Sequence, residues 1–210
     1  MAKRKTNTRN GYLIAKRATD IFVAYILLAC LYLPMIVIAI AVRLSTGDSA
    51  IFRQVRIGAN GRKFVCYKFR TMYSSAPSEL STAEFKDAQS FITPIGRFLR
   101  RSSLDEIPQL FNVLRGDMSI VGPRPLIEKE EQVHMMREGS GAFSLRPGIT
   151  GLAQIMGRDM LDDVKKVYYD TQYAFNLSFL TDLRIIFSTF FKVAKRENIN
   201  LPKKEKNSFS

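Results

Sequence analysis

The chain has 210 residues, 46% of them hydrophobic, with a formal net charge of +13 and an isoelectric point near 9.9. This length allows one ordinary domain with its own core, and the charge indicates an anionic partner such as nucleic acid, anionic lipid or a phosphorylated substrate. The two cysteines, Cys30 and Cys66, exclude a disulfide framework and a cysteine metal site, so we expect both to be reduced and buried.

An apolar run without any charge extends over the 22 residues from Ile21 to Val42. As a helix it would be about 33 Å long, enough to cross a hydrocarbon core. Pro34 lies near its middle, where proline removes a backbone hydrogen bond and kinks a helix. Lysines and arginines flank the run at both ends. The positive-inside rule places such residues on the cytoplasmic side, so both ends satisfy it only if both lie in the cytoplasm. Two topologies stay open: a kinked single-pass helix, and a re-entrant helix that bends at Pro34.

Two strand-like runs follow, at 51–57 and 63–70. Asn60-Gly61 lies between them and supplies the left-handed backbone of a tight hairpin. Residues 74–88 are polar, which predicts a long loop and a candidate lid. Thr93-Pro94 is a typical helix start, with Thr93 as the cap and Pro94 in the first position.

Three further helices are predicted. The first has helically spaced apolar residues between Leu104 and Leu114 and ends at Gly116. The others cover 162–176 and 179–196. The last one carries its apolar residues on one side, which is typical of a helix in a membrane interface and equally of a core helix.

Two adjacent carboxylates, Asp105 and Glu106, lie in an arginine-rich segment. Neutralising them takes two cations, so the surplus indicates that a further anion, such as phosphate, enters. Ser103 and Glu106 also have the spacing of a capping box, in which both acids only favour a helix start. If Ser103 caps the helix, Pro108 lies inside and distorts it; if Pro108 begins the helix, the acids precede it. The arginines are Arg97, Arg100, Arg101, Arg115 and Arg124.

The acid pair has a possible chemical role. An aspartate can attack phosphorus and hold a covalent phosphoryl group, and Mg²⁺ can bridge a carboxylate to a diphosphate. Arg124 stands between Pro123 and Pro125, which restrict its backbone and suit it to bidentate phosphate binding. The alternative is a stiff connector with a solvated Arg124. Lys68, Arg70 and Arg158, each close to a strand end or turn, could likewise be ordinary surface charges.

Eight segments, in this order, resemble the bacterial sugar transferase family, the monotopic phosphoglycosyl transferases. The resemblance extends from about residue 16 to residue 196. The segments are Lys16-Arg17 with Asp20, Phe52-Arg-Gln-Val-Arg-Ile-Gly58, Lys68-Phe-Arg-Thr-Met72, Ser103-Leu-Asp-Glu-Ile-Pro-Gln-Leu110, Arg115-Gly-Asp-Met-Ser119, Gly122-Pro-Arg-Pro125, Pro147-Gly-Ile-Thr-Gly-Leu-Ala-Gln154 and Gly157-Arg158.

The resemblance implies transfer of a sugar 1-phosphate from a UDP-sugar to polyprenol (undecaprenyl) phosphate, giving polyprenyl-diphosphate-sugar and UMP. This would be the first membrane step of bacterial polysaccharide or glycoconjugate synthesis. The resemblance further implies Asp105 and Glu106 as the catalytic dyad, and Mg²⁺ as a cofactor with Asp105 as a ligand. The implied substrate-binding cations are Lys68, Arg70, Arg100, Arg124 and Arg158.

We therefore expect an α+β, mainly helical fold with a re-entrant membrane helix broken at Pro34, a small β-hairpin and amphipathic interfacial helices. The predicted parts are a basic arm (1–15), the membrane-embedded helix (16–46), a catalytic domain (47–198) and a polar tail (199–210). The active site would face the cytoplasm at the bacterial cytoplasmic membrane. Expected partners are the UDP-sugar, polyprenol phosphate, inner-membrane lipid and downstream glycosyltransferases, and not nucleic acid.

Two other interpretations remain open from the sequence. The chain could be a membrane-anchored basic binding or scaffolding protein without catalysis, which would have no need of the acid pair. It could also be a membrane-bound enzyme that transfers from a nucleotide sugar to an acceptor that is not a lipid.

Overall fold

The computed structural model describes residues 2–76, 88–157 and 160–195. Within these ranges, side chains are described from residue 10 onward, except those of residues 88 and 131. Its first element is one long helix, α1, spanning Ala2–Thr46. Residues 2–15, predicted as a basic arm, therefore continue into the apolar run as helix. Pro34 lies inside α1 and does not end it, although it leaves the carbonyl of Cys30 without its helical partner. The re-entrant path through a bilayer stays a prediction.

One side of α1 packs against the rest of the protein over most of its length. Leu13, Ala24, Leu28, Ile38 and Val42 join three successive hydrophobic clusters, at the three- and four-residue spacing of a helix face. The other side exposes large apolar residues, and α1 is long and apolar enough to cross a membrane. These exposed residues include Phe22, Tyr25, Tyr32, Leu33, Val37 and Leu44.

The predicted hairpin is confirmed. Strand β1 (Ile51–Ile57) pairs antiparallel with β2 (Lys63–Phe69). At the turn, Asn60 and Gly61 have φ angles of 53° and 74°, the left-handed backbone that the dipeptide predicts.

Three short helices follow: α2 (Ala88–Phe91), α3 (Pro94–Ser102) and α4 (Gln109–Arg115). The predicted start of α3 is confirmed, because Thr93 Oγ1 accepts a hydrogen bond from the Gly96 N–H at 2.9 Å. The predicted loop and lid at 74–88 fall mostly outside the described residues, as do Arg158 and the tail at 199–210.

A second, two-stranded sheet was not predicted. Strand β3 (Ser119–Val121) pairs parallel with β4 (Gly148–Thr150). Helix α5 (Glu131–Glu138) lies between these strands in sequence, and α6 (Leu152–Met156) follows them. Three-residue strands are too short to show an alternating pattern.

The two predicted C-terminal helices are confirmed as α7 (Asp163–Phe175) and α8 (Phe179–Ala194). Helix α8 has one buried side and one exposed apolar side, so its place in a membrane interface stays a prediction. Ile185 is buried in the core, whereas Phe187, Phe190 and Phe191 are exposed.

The prediction for the cysteines is half right: both are free, but Cys30 is exposed on α1 and only Cys66 is buried.

Candidate active site

The turn that carries the two acids separates α3 from α4. Helix α3 ends at Ser102, and Ser103 takes a left-handed φ of 55°. The residues Leu104–Glu106 then form one 3₁₀ turn, and Pro108 directly precedes α4. The acids therefore come before the helix, as in the second alternative. The capping box is wrong, because the Ser103 side chain makes no cap hydrogen bond.

The structure brings Lys68 and Glu106 together. Lys68 Nζ lies 2.9 Å from Glu106 Oε1, and the two side chains are 27% and 17% exposed. Asp105 is half-buried beside Glu106 in the same turn. An ion pair removed from most of the solvent is stronger than one on an open surface, so it orders the acidic turn against β2.

Arg124 belongs to the same electrostatic cluster. Burial lowers the pKa of the Arg56 guanidinium, the nearby Arg124 lowers it further, and Glu130 and Glu106 oppose this effect. Burial also raises the pKa of the Cys66 thiol, while Lys68, Arg56 and Arg124 oppose the rise. Lys68, Arg56 and Arg124 therefore lie near Glu106 on one side of the hairpin, and guanidinium groups are suited to binding a phosphate.

Arg56 is a site residue that the sequence reasoning missed. Its guanidinium donates to Gln54 Oε1 at 2.6 Å and to the Pro125 carbonyl at 3.2 Å. The strand period could have revealed it, because Gln54 and Arg56 share a face with Cys66 and Lys68 of the partner strand.

The loop around Arg124 is held at three successive backbone carbonyls. Those of residues 123, 124 and 125 accept from the Gly148 N–H at 2.8 Å, Arg137 at 2.9 Å and Arg56 at 3.2 Å, respectively. The two prolines already restrict the chain, so these bonds fix a stiff segment in place. Arg124 thus projects from a backbone that loses little entropy when it binds a ligand.

A buried ion pair supports this loop from behind. Arg137 and Asp170 are 6% and 1% exposed, and one guanidinium nitrogen of Arg137 pairs with Asp170 while the other donates to the Arg124 carbonyl. Burial raises the pKa of Asp170, and the Arg137 guanidinium opposes this rise.

Asn112 fixes the helix after the acidic turn to the hairpin. It is completely buried, donates to the Val65 carbonyl at 2.6 Å and accepts from the Tyr67 N–H at 3.1 Å. These backbone groups lie on the edge of β2 that does not face β1. Helix α4 and the turn before it are therefore aligned on β2 by one amide side chain.

The remaining predicted cations lie in different places. Arg100 lies on α3, the helix before the acidic turn, and its Nε donates to Thr71 Oγ1 at 2.8 Å. Arg70 instead contacts the loop after α1, donating to the Ser49 carbonyl at 2.8 Å with Asp48 at 3.7 Å. Its described contacts do not reach the acid pair, and Arg158 is outside the described residues. Arg115 ends α4, donates to the Tyr67 hydroxyl at 3.0 Å and lies 3.5 Å from Asp117.

A largely apolar groove of about 360 Å³ adjoins the acidic turn. Glu106 and Ser103 form part of its wall. Leu27 of α1 and Phe190 of α8 also line it, and both are exposed on the apolar faces of these helices. A charged site therefore borders a groove built partly from the exposed apolar faces of α1 and α8.

The site can be tested for its fit to Mg²⁺. Among the residues that the structure describes, no three His, Cys, Asp or Glu side chains form a group that could hold a metal ion. Magnesium often binds through only one or two carboxylates, with substrate phosphates and water completing its shell. Asp105, with Glu106 beside it, fits that kind of site.

Known proteins resemble this chain over most of its length. The sequence profile described as Bacterial sugar transferase matches residues 11–196. Two similar proteins are the uncharacterized sugar transferase EpsL of Bacillus subtilis, 39% identical over 89% of this chain and 91% of its own length, and the exopolysaccharide production protein ExoY of Sinorhizobium fredii, 39% identical over 84% of each chain. A third is the UDP-glucose:undecaprenyl-phosphate glucose-1-phosphate transferase of Escherichia coli, 40% identical over 85% of this chain but only 40% of its own length.

The long apolar helix α1 is compatible with anchoring in a membrane. The chain belongs to the bacterial sugar transferase family, and it is a transferase.

Proposed function

We propose that the chain transfers a sugar 1-phosphate from a UDP-sugar to polyprenol phosphate and releases UMP. The observation that carries this proposal is the position of Glu106. It pairs with Lys68 in a cationic cluster suited to a diphosphate, and it also lines an apolar groove bounded by α1 and α8. One reactant is a charged nucleotide sugar and the other is a lipid, so the site must meet both environments.

In the first step, a carboxylate oxygen of Asp105 attacks the β-phosphorus of the UDP-sugar. The bond from the β-phosphorus to the bridging oxygen breaks, and UMP leaves with the electron pair. Arg124, on its fixed loop, offsets the charge that develops on the phosphoryl oxygens. Asp105 and Glu106 would hold Mg²⁺, which when bound would offset the charge of the diphosphate.

In the second step, a phosphate oxygen of polyprenol phosphate attacks the phosphosugar carried by Asp105. The bond from phosphorus to the aspartate oxygen breaks, which restores the carboxylate and gives polyprenyl-diphosphate-sugar. The groove beside Glu106 supports lateral entry of the acceptor from the lipid-facing side. The ion pair of Glu106 with Lys68 supports a positioning role for Glu106.

Contacts at both ends of the apolar run support a monotopic arrangement at the cytoplasmic face. Before the run, Lys16 Nζ lies 2.6 Å from Asp182 Oδ2 of α8. At the end of the run, Val42 packs with Phe69 and Leu99. A spanning helix would carry its ends to opposite sides of a hydrocarbon core about 30 Å thick. Because both ends of the run contact the same domain, both ends would stay on one side of the membrane. The positive-inside rule makes this the cytoplasmic side, since lysines and arginines flank both ends.

The proposal is tested by incubating purified protein with radiolabelled UDP-glucose or UDP-galactose, Mg²⁺ and undecaprenyl phosphate. We expect sugar label to pass into the organic phase while UMP forms in equal amount. Label that stays in a water-soluble product would instead indicate an acceptor that is not a lipid. The Asp105→Asn variant should form neither product.

A further inference from the structure

A second cleft, of about 500 Å³, lies between residues 13–20 of α1, the hairpin tip and the end of α4. Six basic and two acidic side chains line it, a surplus of four positive charges. Its lining contains none of the acids and cations assigned to the reaction site. The basic side chains are Lys16, Arg17, Arg62, Lys63, Arg115 and Arg146, and the acidic ones are Asp20 and Asp117.

Three of these guanidinium groups have no ion-pair partner among the described residues. Arg17 donates to the Val113 and Leu114 carbonyls at 2.6 and 3.1 Å, and Arg146 donates to the Gly116 carbonyl at 2.9 Å. Neutral carbonyls orient these two groups without cancelling their charge. Arg62 is exposed at the hairpin tip. Cations oriented toward a shared cavity favour an anion that can accept several charge-assisted hydrogen bonds.

Lys16, Lys63 and Arg115 contribute less to this excess. Lys16 is paired with Asp182 at 2.6 Å, Lys63 with Glu128 at 2.6 Å, and Arg115 more loosely with Asp117 at 3.5 Å. The free positive charge of the cleft therefore comes mainly from arginines, whose planar donors match a phosphate.

The cleft lies where the apolar surface of the protein begins. Asp20 lines it, and the next residue starts the apolar run of α1. Leu177 also lines it, while its sequence neighbours Phe175 and Phe179 are 77% and 59% exposed. Cations next to exposed aromatic and aliphatic side chains are typical of the headgroup level of a bilayer.

We propose that this cleft binds the phosphate headgroup of an anionic phospholipid, at a site separate from the reaction centre. The headgroup phosphate lies among Arg17, Arg62, Arg115 and Arg146, and the acyl chains pass toward the apolar faces near Phe175 and Phe179. The bound lipid holds the start of α1 and the hairpin tip at the bilayer surface.

The test is a titration of the detergent-purified full chain with dioleoylphosphatidylglycerol, followed by native mass spectrometry. Arg62→Ala/Arg115→Ala removes two exposed cations and spares the arginines that hold the end of α4. We expect about 30-fold weaker binding of phosphatidylglycerol by this variant. Dioleoylphosphatidylcholine, which has no net charge, should bind weakly to both proteins.

The matched control is Arg53→Ala/Lys165→Ala, which removes two exposed cations outside the cleft and should bind phosphatidylglycerol as the unmodified chain does. The proposal would be overturned if both double variants lost affinity for phosphatidylglycerol equally, or if neither lost any. Displacement of phosphatidylglycerol by inorganic phosphate would also overturn it, because the site would then bind a free anion. If the first double variant fails to fold, the single variant Arg62→Ala is used instead. Unchanged affinity of Arg62→Ala for phosphatidylglycerol would contradict a lipid headgroup in this cleft.

Discussion

Lys68 Nζ lies 2.9 Å from Glu106 Oε1, and this contact joins the hairpin to the turn that carries the two adjacent acids. Asn112 makes a second connection between the same elements, through the backbone of β2. The acidic turn is short and follows a left-handed residue, so its orientation depends on these tertiary contacts more than on helix propensity.

Replacing Lys68 by alanine should lower the rate of UMP release about 100-fold, because Glu106 loses the cation that holds it and the phosphate site loses a charge. Lys68→Arg should lose less, since it keeps the charge but not the geometry. The rate is measured at saturating UDP-sugar and lipid acceptor.

Arg53→Ala serves as the control for Lys68→Ala, because Arg53 is an exposed cation on the neighbouring strand. Its rate should equal that of the unmodified chain. If both variants lost activity equally, the loss would reflect surface charge and not the contact with Glu106.

Arg137→Ala should strongly destabilise the fold, because it leaves Asp170 buried without its cation. The expected loss is about 3–5 kcal/mol, or a fall in Tm of about 10 °C, measured by thermal unfolding in detergent. A Tm within 2–3 °C of the original, by roughly the same scaling, would contradict a buried charge pair.

The double variant Arg137→Met/Asp170→Leu separates stability from loop positioning. It removes both charges, so its Tm should recover most of the decrease caused by Arg137→Ala. The rate of UMP release should stay low, since the Arg124 carbonyl no longer has its donor. Full recovery of both properties would show that Arg137 does not position the loop.

Gly96→Ala should destabilise the protein by about 3 kcal/mol, because the new Cβ would lie 2.0 Å from the Thr71 carbonyl oxygen. The displaced α3 would also disturb the hydrogen bond from Arg100 to Thr71. Gly139→Ala is the matched control: its Cβ meets nothing within 4 Å, and its φ is −79°. Thermal unfolding should place this control within about 0.5 kcal/mol of the original.

The proposed topology predicts that both ends of the apolar run lie on one side of the membrane. Asn10→Cys and Ser49→Cys, each in a Cys30→Ser background, present exposed thiols before and after it. An impermeant maleimide should label both in inverted vesicles and neither in right-side-out vesicles. Buried Cys66 is the internal control and should remain unlabelled. Labelling of the two positions from opposite sides would establish a spanning helix.

Local signals in the sequence were sufficient where one or two residues decide the backbone. Asn60-Gly61 predicted the hairpin turn, and Thr93-Pro94 predicted the start of α3. Pairing over a distance was not predictable in this way. The parallel contact of Ser119 with Gly148 joins two three-residue strands, and neither strand has a pattern of its own.

The site was predictable to a similar degree. The acid pair, Lys68 and Arg124 were identified from their motifs, and the structure brings Glu106, Lys68 and Arg124 into one cluster. Arg56 was not identified as a site residue, although it lies in the family segment at 52–58. The pair of Arg137 with Asp170 depends on the packing of α5 against α7, which no local pattern predicts.

The most direct test of the mechanism is the intact mass of the protein after incubation with UDP-sugar and Mg²⁺ in the absence of lipid acceptor. We predict a mass gain of one sugar phosphate with release of an equal amount of UMP, and no gain for Asp105→Asn. Turnover with acceptor but without any adduct, or the same adduct on Asp105→Asn, would contradict a covalent intermediate on Asp105.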